Sequence, residues 1–302
     1  MNRGISVSPR RNISAPPSQV ASLSLKAPAK INWFLQILGR RKDGYHNISS
    51  LMQCVSLYDN LLFEHAESIE IVGNLNIRKH DNIVFKAASF LKDHASYDKG
   101  ARIFLNKNIP VGAGLGGGSS DAAYTLSGLN ILWGLGLSNG DLSAIGSQIG
   151  SDVPFFLKGP AAFVEGRGER VKSLKIRSSV TLLIVKPQVS VSTAWAYSHF
   201  DRYKNGKLTK KPVDIKLFCQ ALEKRDFTTL GIMLYNDFEG EIMRKYPVVR
   251  EIKHKLLGAG ALISAMSGSG PTVFGVFQNK ADAERAAQAM EPNFFRVVDT
   301  IV

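Results

Sequence analysis

The sequence predicts a protein of mixed helices and strands built as two domains, and three observations carry that expectation. Short strand-like and helix-like stretches alternate from Leu23 to the C-terminus. The 302 residues, 44% hydrophobic and 21% charged, suffice for a sizeable core and fit one or two domains. The pattern divides near residue 160, setting residues 21–160 against 161–302, behind a leading segment, residues 1–20, that lacks any apolar period.

Taken in order, Ile31–Arg40 (INWFLQILGR) and Ala101–Asn108 (ARIFLNKN) read as strands. Between them, Asp81–His94 opens on Asp and Asn and spaces Ile83, Val84, Ala87, Phe90 and Leu91 along one helical face. Ala122–Leu132 reads as a helix entered from a glycine-rich loop, and Asp141–Gly150 as a short one. Ser151–Phe156 is another, with Asp152 ahead of Pro154 as its start signal. Ala161–Val171 (AAFVEGRGERV) reads as a hairpin and Thr181–Pro187 as a buried strand. Helices follow over Pro212–Asp226, Tyr246–Gly260 and Lys280–Glu291, and Phe294–Val302 closes the chain as a strand.

Composition narrows the function classes. Residues 1–20, rich in Ser, Pro and Arg, predict a disordered and dispensable tail. Their acid-poor content also resembles an organelle transit peptide, which makes a plastid the alternative to a cytoplasmic location. No apolar run approaches the roughly 18 residues of a membrane-spanning helix, and the N-terminus lacks a secretory apolar core, so no membrane partner is expected. Cys54 and Cys219 stand far apart with no C-x-x-C or His cluster, which indicates neither a disulfide framework nor a zinc site and suits a reducing cytoplasm. The net charge of +13 fits nucleic acid, an anionic surface or small phosphorylated substrates. Its lysines and arginines are mostly scattered, densest over Lys204–Lys211, and no RNP1-like aromatic string occurs, so nucleic acid is not an expected partner.

The stretch Pro110–Ala123, PVGAGLGGGSSDAA, carries the strongest local signal. Gly112, Gly114 and Gly117 fit G-x-G-x-x-G, a weak match alone. A dinucleotide site would also want an acidic residue about twenty positions on at a strand end. The nearest candidate, Asp141, opens a helix instead. A P-loop fails because no Gly-Lys-Ser or Gly-Lys-Thr follows, and a protein-kinase reading fails for want of H-R-D and D-F-G strings. What remains is physical. Gly114, Gly116, Gly117 and Gly118 can take positive φ and let backbone N–H groups approach a ligand, and Ser119, Ser120 and Asp121 lead into a helix. A glycine-rich loop opening into a helix N-terminus is an anion site. A second glycine-rich stretch, Ala261–Phe277 (ALISAMSGSGPTVFGVF), reads as strand, tight turn and strand.

Three stretches, Ala27–Gln36 (APAKINWFLQ), Pro110–Ala123 and Ser264–Phe277, resemble in order the three motifs of the GHMP small-molecule kinases. Within that family, Pro28–Gln53 with its DGYH string is similar to the kinases of 4-diphosphocytidyl-2-C-methyl-D-erythritol in the non-mevalonate isoprenoid pathway. The resemblance implies a two-domain α+β fold with ATP and substrate in the interdomain cleft. It implies that Pro110, Val111, Gly112, Ala113, Gly114, Leu115, Gly116, Gly117, Gly118, Ser119 and Ser120 wrap the ATP phosphates, with Ser267, Gly268, Ser269 and Gly270 lining the same cleft. Lys30 and Asp152 fall where the family's catalytic pair lies. There Asp152 would accept the proton of the attacking hydroxyl and Lys30 would neutralise phosphoryl oxygens. A helix N-cap is the structural alternative for Asp152, and a solvated strand position for Lys30. For the substrate, the resemblance points to Asn32 at the methylerythritol hydroxyls and to Tyr45, His46 and Tyr197 at the cytosine. Tyr197 stands where the family often has Phe. Mg²⁺ is implied as the partner of ATP, held largely by phosphate oxygens and without a carboxylate cluster, so no protein metal site is expected. The assembly expected is a monomer or homodimer.

Overall fold

The computed structural model describes residues 21–74, 78, 81–204 and 213–302, with 201–204 as backbone alone. The tail expected over residues 1–20 and most of the basic cluster at Lys204–Lys211 lie outside the described residues.

Two sheets organise the chain. Strands β1 (Ser22–Arg40) and β2 (His46–Ala66) form a long antiparallel hairpin. Strands β3 (Glu70–Gly73), β4 (Gly100–Asn106), β5 (Ala161–Gly166) and β6 (Arg170–Ser173) complete a six-stranded sheet in the order β3-β4-β2-β5-β6, with β1 paired to β2. The second sheet runs β10-β7-β9-β8, all antiparallel, from β7 (Thr181–Lys186), β8 (Ile263–Met266), β9 (Val273–Phe277) and β10 (Phe294–Asp299).

Helices α1 (Ile83–Ala95), α2 (Gly117–Leu132), α3 (Asn139–Ile149) and α4 (Val153–Lys158) bury their apolar faces on the first sheet, where Phe63, Leu91, Leu126 and Phe155 share one core. α1 starts where its sequence says it should, because the Asn82 side chain accepts from the Val84 N–H. Asp141 completes a capping box with Ser138 at the start of α3, which accounts for that acidic residue structurally. A second core joins the sheets. Trp33 meets Phe218 of α6 (Ile215–Glu223) and Phe274 of β9 at ring distances of 6.0 and 5.8 Å. A third lies beyond the second sheet under α5 (Thr193–Lys204), α8 (Glu239–Lys245), α9 (Pro247–Gly258) and α10 (Lys280–Ala287). Helix α7 (Phe227–Met233) follows α6 closely.

The division expected near residue 160 differs from that between the sheets. Strands β5 and β6 lie past it, yet β5 pairs with β2 and β6 with β5, so the sheets part between Ser173 and Thr181. That pairing joins Gln53 to Ala161 and Ile48 to Gly166, partners far apart in sequence, and local composition carries no mark of it. The chain end returns to the first sheet, where the Ile301 N–H donates to Cys54 O at 2.9 Å and Gln53 Nε2 donates to Ile301 O at 3.0 Å.

Candidate active site

The three motifs meet in one cleft. The pairing of β1 with β2 shifts between Asn32 and Phe34, a bulge of the kind that re-aims side chains near sites. On the cleft side of that strand stand Lys30 and Asn32, both buried, while Ile31, Trp33 and Phe34 go to the inter-sheet core. The Lys30 N–H donates to Leu115 O at 2.9 Å, and the Asn32 N–H donates to Ser267 Oγ at 3.3 Å. Ser267 Oγ in turn donates to Gly114 O at 3.0 Å. Strand β1, the glycine-rich loop and the second glycine-rich turn are thereby tied to one another.

The glycines divide by task. Gly112, Gly114 and Gly116 have φ of 63°, 75° and 70°, the left-handed region that side chains resist. At Gly114 a Cβ would stand 2.3 Å from Ser267 O, so this residue must also be bare for the two loops to touch. Gly117 and Gly118 differ from the expectation of positive φ: they already belong to α2, which begins with Gly116 as its left-handed cap, five residues before the apolar stretch at Ala122. The free N–H groups of that first turn therefore arise inside the loop, where an anion gains most from them.

Lys30 Nζ donates to Asn32 Oδ1 at 2.6 Å and lies 3.5 Å from Asp152 Oδ2. Asn32 is held from behind, its Nδ2 donating to Ser50 Oγ at 2.8 Å while Ser50 Oγ donates to Phe34 O at 2.6 Å. Asp152 sits at the N-cap position of α4, but its backbone is helical and its side chain makes no capping hydrogen bond. The N-cap alternative is thus not what this carboxylate does; it pairs with Lys30, at the end of an ordered Ser50–Asn32–Lys30 chain.

A cavity of about 440 Å³ is bordered by Lys30, Asn32, Asp152, Gly268, Ser269 and every loop residue from Pro110 to Ser119. Ser120 is fully buried beneath it, and Ser267 and Gly270 stand behind Gly268 and Ser269, Ser267 as the tie to Gly114. A second cavity of about 680 Å³ is bordered by Arg40, Tyr45, His46, Ser151, Arg167 and Ser198. Ile48, Asp152, Thr193 and Tyr197 border both. In the second cavity the His46 and Tyr197 rings stack at 4.8 Å, and Tyr197 stands edge-on to Phe238 at 4.8 Å. Burial, and then the nearby Asp152 carboxylate, push the Tyr197 phenol well above the usual range, so it stays neutral. Tyr45 is 53% exposed, with the Arg167 guanidinium 4.7 Å over its ring.

Two features were not read from the sequence. Lys107 reaches the base of α2, where its Nζ donates to Asp121 Oδ2 at 2.6 Å and also to Asp59 Oδ2. Asp59 Oδ1 accepts from the N–H groups of Asn108 and Ile109 at 2.6 and 2.8 Å. Burial pushes the Asp121 carboxyl upward, with Asp59 adding to the rise and Lys107 opposing it. Asn236 fixes the second turn by donating to Met266 O at 2.9 Å and Gly268 O at 2.7 Å. Lys107 lies 48 and 14 residues from its partners, and Asn236 lies 30 and 32 from its own, distances at which no local pattern exists.

A glycine-rich loop at a helix N-terminus, faced by a lysine–aspartate pair in a two-sheet cleft, is an arrangement suited to phosphoryl transfer, and the chain belongs to the GHMP kinase family. Residues 82–160 match the model of the GHMP kinases N-terminal domain and residues 218–297 that of the GHMP kinases C-terminal domain. Within the family it is similar to 4-diphosphocytidyl-2-C-methyl-D-erythritol kinase of Thermodesulfovibrio yellowstonii, 46% identical over 93% of this chain and 98% of that one. The kinase of the same name from Pelobacter propionicus is 42% identical over 93% and 99%. The crystal structure of a 4-(cytidine 5'-diphospho)-2C-methyl-D-erythritol kinase superposes with a TM-score of 0.80 at 32% identity, covering 92% of this chain and 99% of that one. Leishmania major mevalonate kinase, at 17% identity and a TM-score of 0.71 over 95% and 98%, shares the fold.

Proposed function

We propose that this chain transfers the γ-phosphoryl group of ATP to a hydroxyl of 4-diphosphocytidyl-2-C-methyl-D-erythritol. The observation that carries the reading is the position of Asp152, which pairs with Lys30 and borders both cavities. Relatives bearing that activity in their names cover nearly the whole chain and add support.

In this reading the 440 Å³ cavity receives the triphosphate against Pro110–Ser119, with Ser120 buried beneath rather than on its wall; the glycines leave N–H groups bare and the helix N-terminus favours negative charge. The turn Ser267–Gly270 backs the loop and keeps its shape. The acceptor hydroxyl lies beside Asp152, which takes its proton as the oxygen bonds to the γ-phosphorus and ADP departs. Lys30, held by Asn32, stays close to the developing alkoxide and the transferring oxygens. Asn32, beside Lys30 and Asp152 at this cavity, is assigned to the methylerythritol hydroxyls by the family resemblance. The 680 Å³ cavity takes the cytidine end, where Tyr45 and Tyr197 offer ring faces and His46 a hydrogen-bonding edge. Mg²⁺, when bound, neutralises phosphate charge. The residues fit such an ion, because Asp121 borders the phosphate cavity and its Oδ1, like Ser120 Oγ, is buried without a hydrogen-bond partner.

The test is ADP release from ATP with the diphosphocytidyl alcohol, free methylerythritol, homoserine and mevalonate. Turnover confined to the first supports the reading; equal turnover with any of the others contradicts it.

A further inference from the structure

The hairpin of β5 and β6 ends in Gly166-Arg167-Gly168-Glu169, a turn that the phosphate loop and the catalytic pair leave without a role. Its construction is specific. Gly166 and Gly168 have φ of 72° and 122°, and a Cβ on Gly168 would stand 2.9 Å from Ser151 O, so the tip is pressed against the residue preceding Asp152. The Glu169 carboxylate folds back to accept the Arg167 N–H at 2.5 Å. The turn therefore delivers the Arg167 side chain to the wall of the 680 Å³ cavity, between Tyr45 and the Ser151–Asp152 corner. Among the described residues no carboxylate pairs with its guanidinium, which rests on the Tyr45 ring at 4.7 Å. Asp43 feels its charge only at longer range. An arginine bordering a cavity with no carboxylate at ion-pair distance can take an anion from it, and its planar fork matches phosphate oxygens.

We infer that Arg167 binds the diphosphate of the cytidine-linked substrate and so selects a nucleoside-diphosphate-linked alcohol over the free alcohol. This rests on the reading that the cavity takes the cytidine end. A base held near Tyr45 and Tyr197 and a hydroxyl held at Asp152 leave the connecting diphosphate to cross the cavity they border. Its charges then need a cation, and Arg167 reaches that wall from a tip fixed beside Asp152. Its stack on Tyr45 gives the same guanidinium a second task, to brace the ring against which the base lies.

The test is calorimetric binding of cytidine and of cytidine 5'-diphosphate to the full chain, with a non-hydrolysable ATP analogue saturating the phosphate cavity. Wild type is expected to prefer the diphosphate, and added salt to narrow that preference. Arg167→Gln is expected to weaken diphosphate binding about tenfold or more while cytidine affinity changes less than about threefold, as befits loss of a charge-assisted contact. Arg167→Lys, which keeps the charge and loses the plane, is expected to retain much of the preference, and it replaces the Gln variant should that one not fold. An equal loss for both ligands would assign Arg167 to bracing Tyr45 alone and overturn the inference, as would an unchanged diphosphate preference. Failure of wild type to bind cytidine would remove the base-binding reading itself, and this inference with it.

Discussion

Replacing Asp152 by Asn tests the catalytic geometry at a single atom. The variant keeps the size of the side chain and removes its capacity to take a proton and its charge opposite Lys30, whose Nζ lies 3.5 Å away. No helix cap is lost, because the carboxylate makes no capping hydrogen bond on α4. The stability effect is correspondingly small. Asp152 is 28% exposed, so solvent screens its side of the pair, while the buried Lys30 keeps Asn32 as a hydrogen-bond partner, and the loss costs about 1–2 kcal/mol. For a chain of 302 residues each kcal/mol is a melting shift of roughly 1.5 °C. Loss of a general base instead lowers the rate by roughly 10²- to 10⁴-fold, about 3 to 5 kcal/mol of transition-state stabilisation. The two effects are separable in one set of measurements: kcat by coupled ADP assay, ATP affinity by calorimetry, and melting temperature by scanning calorimetry. The expected result is a collapsed kcat with ATP affinity and melting temperature near wild type. Retention of more than about a third of wild-type kcat would refute the reasoning and move the proton acceptor to solvent or to the substrate's own phosphate.

Gly114→Ala forces a Cβ into Ser267 O at a φ of 75°, and is expected to detach the two glycine-rich loops and weaken ATP binding by calorimetry more than tenfold, on the order of 2 kcal/mol. Lys107→Met leaves Asp59 and Asp121 facing one another in a buried site and is expected to lower unfolding free energy in urea by about 3–5 kcal/mol. Tyr197→Phe keeps the ring stacked on His46 and loses only a phenol, so KM for the cytidine-linked substrate is expected to change less than about threefold, whereas Tyr197→Ala is expected to raise it more than about tenfold.

What the sequence disclosed follows the range of the interactions. The loop before α2 was legible because its glycines act within a few residues, although the helix itself begins at Gly117, inside the loop, and not at Ala122. So were α1 with its Asn82 cap and the hairpin at Ala161–Val171. Strand β2 was not read, because His46–Ala66 mixes Ser50, Gln53 and Asp59 into its buried positions, each satisfied by partners from elsewhere in the chain. The pairing of Lys30 with Asp152 spans most of the first sheet and its helices, and family resemblance rather than spacing suggested it. Even then the resemblance did not show that Asn32 orients the lysine from Ser50, since that depends on the register of β1 against β2.

The central claim is that one cleft joins ATP to a cytidine-linked alcohol through Asp152. Phosphorus-31 NMR of wild-type enzyme with ATP, Mg²⁺ and 4-diphosphocytidyl-2-C-methyl-D-erythritol tests it most directly. The account predicts loss of the ATP γ-resonance, growth of ADP and of a new phosphate monoester in equal amounts, and an intact cytidine diphosphate, with no monoester when free methylerythritol replaces the substrate. Release of inorganic phosphate in place of the monoester, or a monoester formed equally well from the free alcohol, would contradict it.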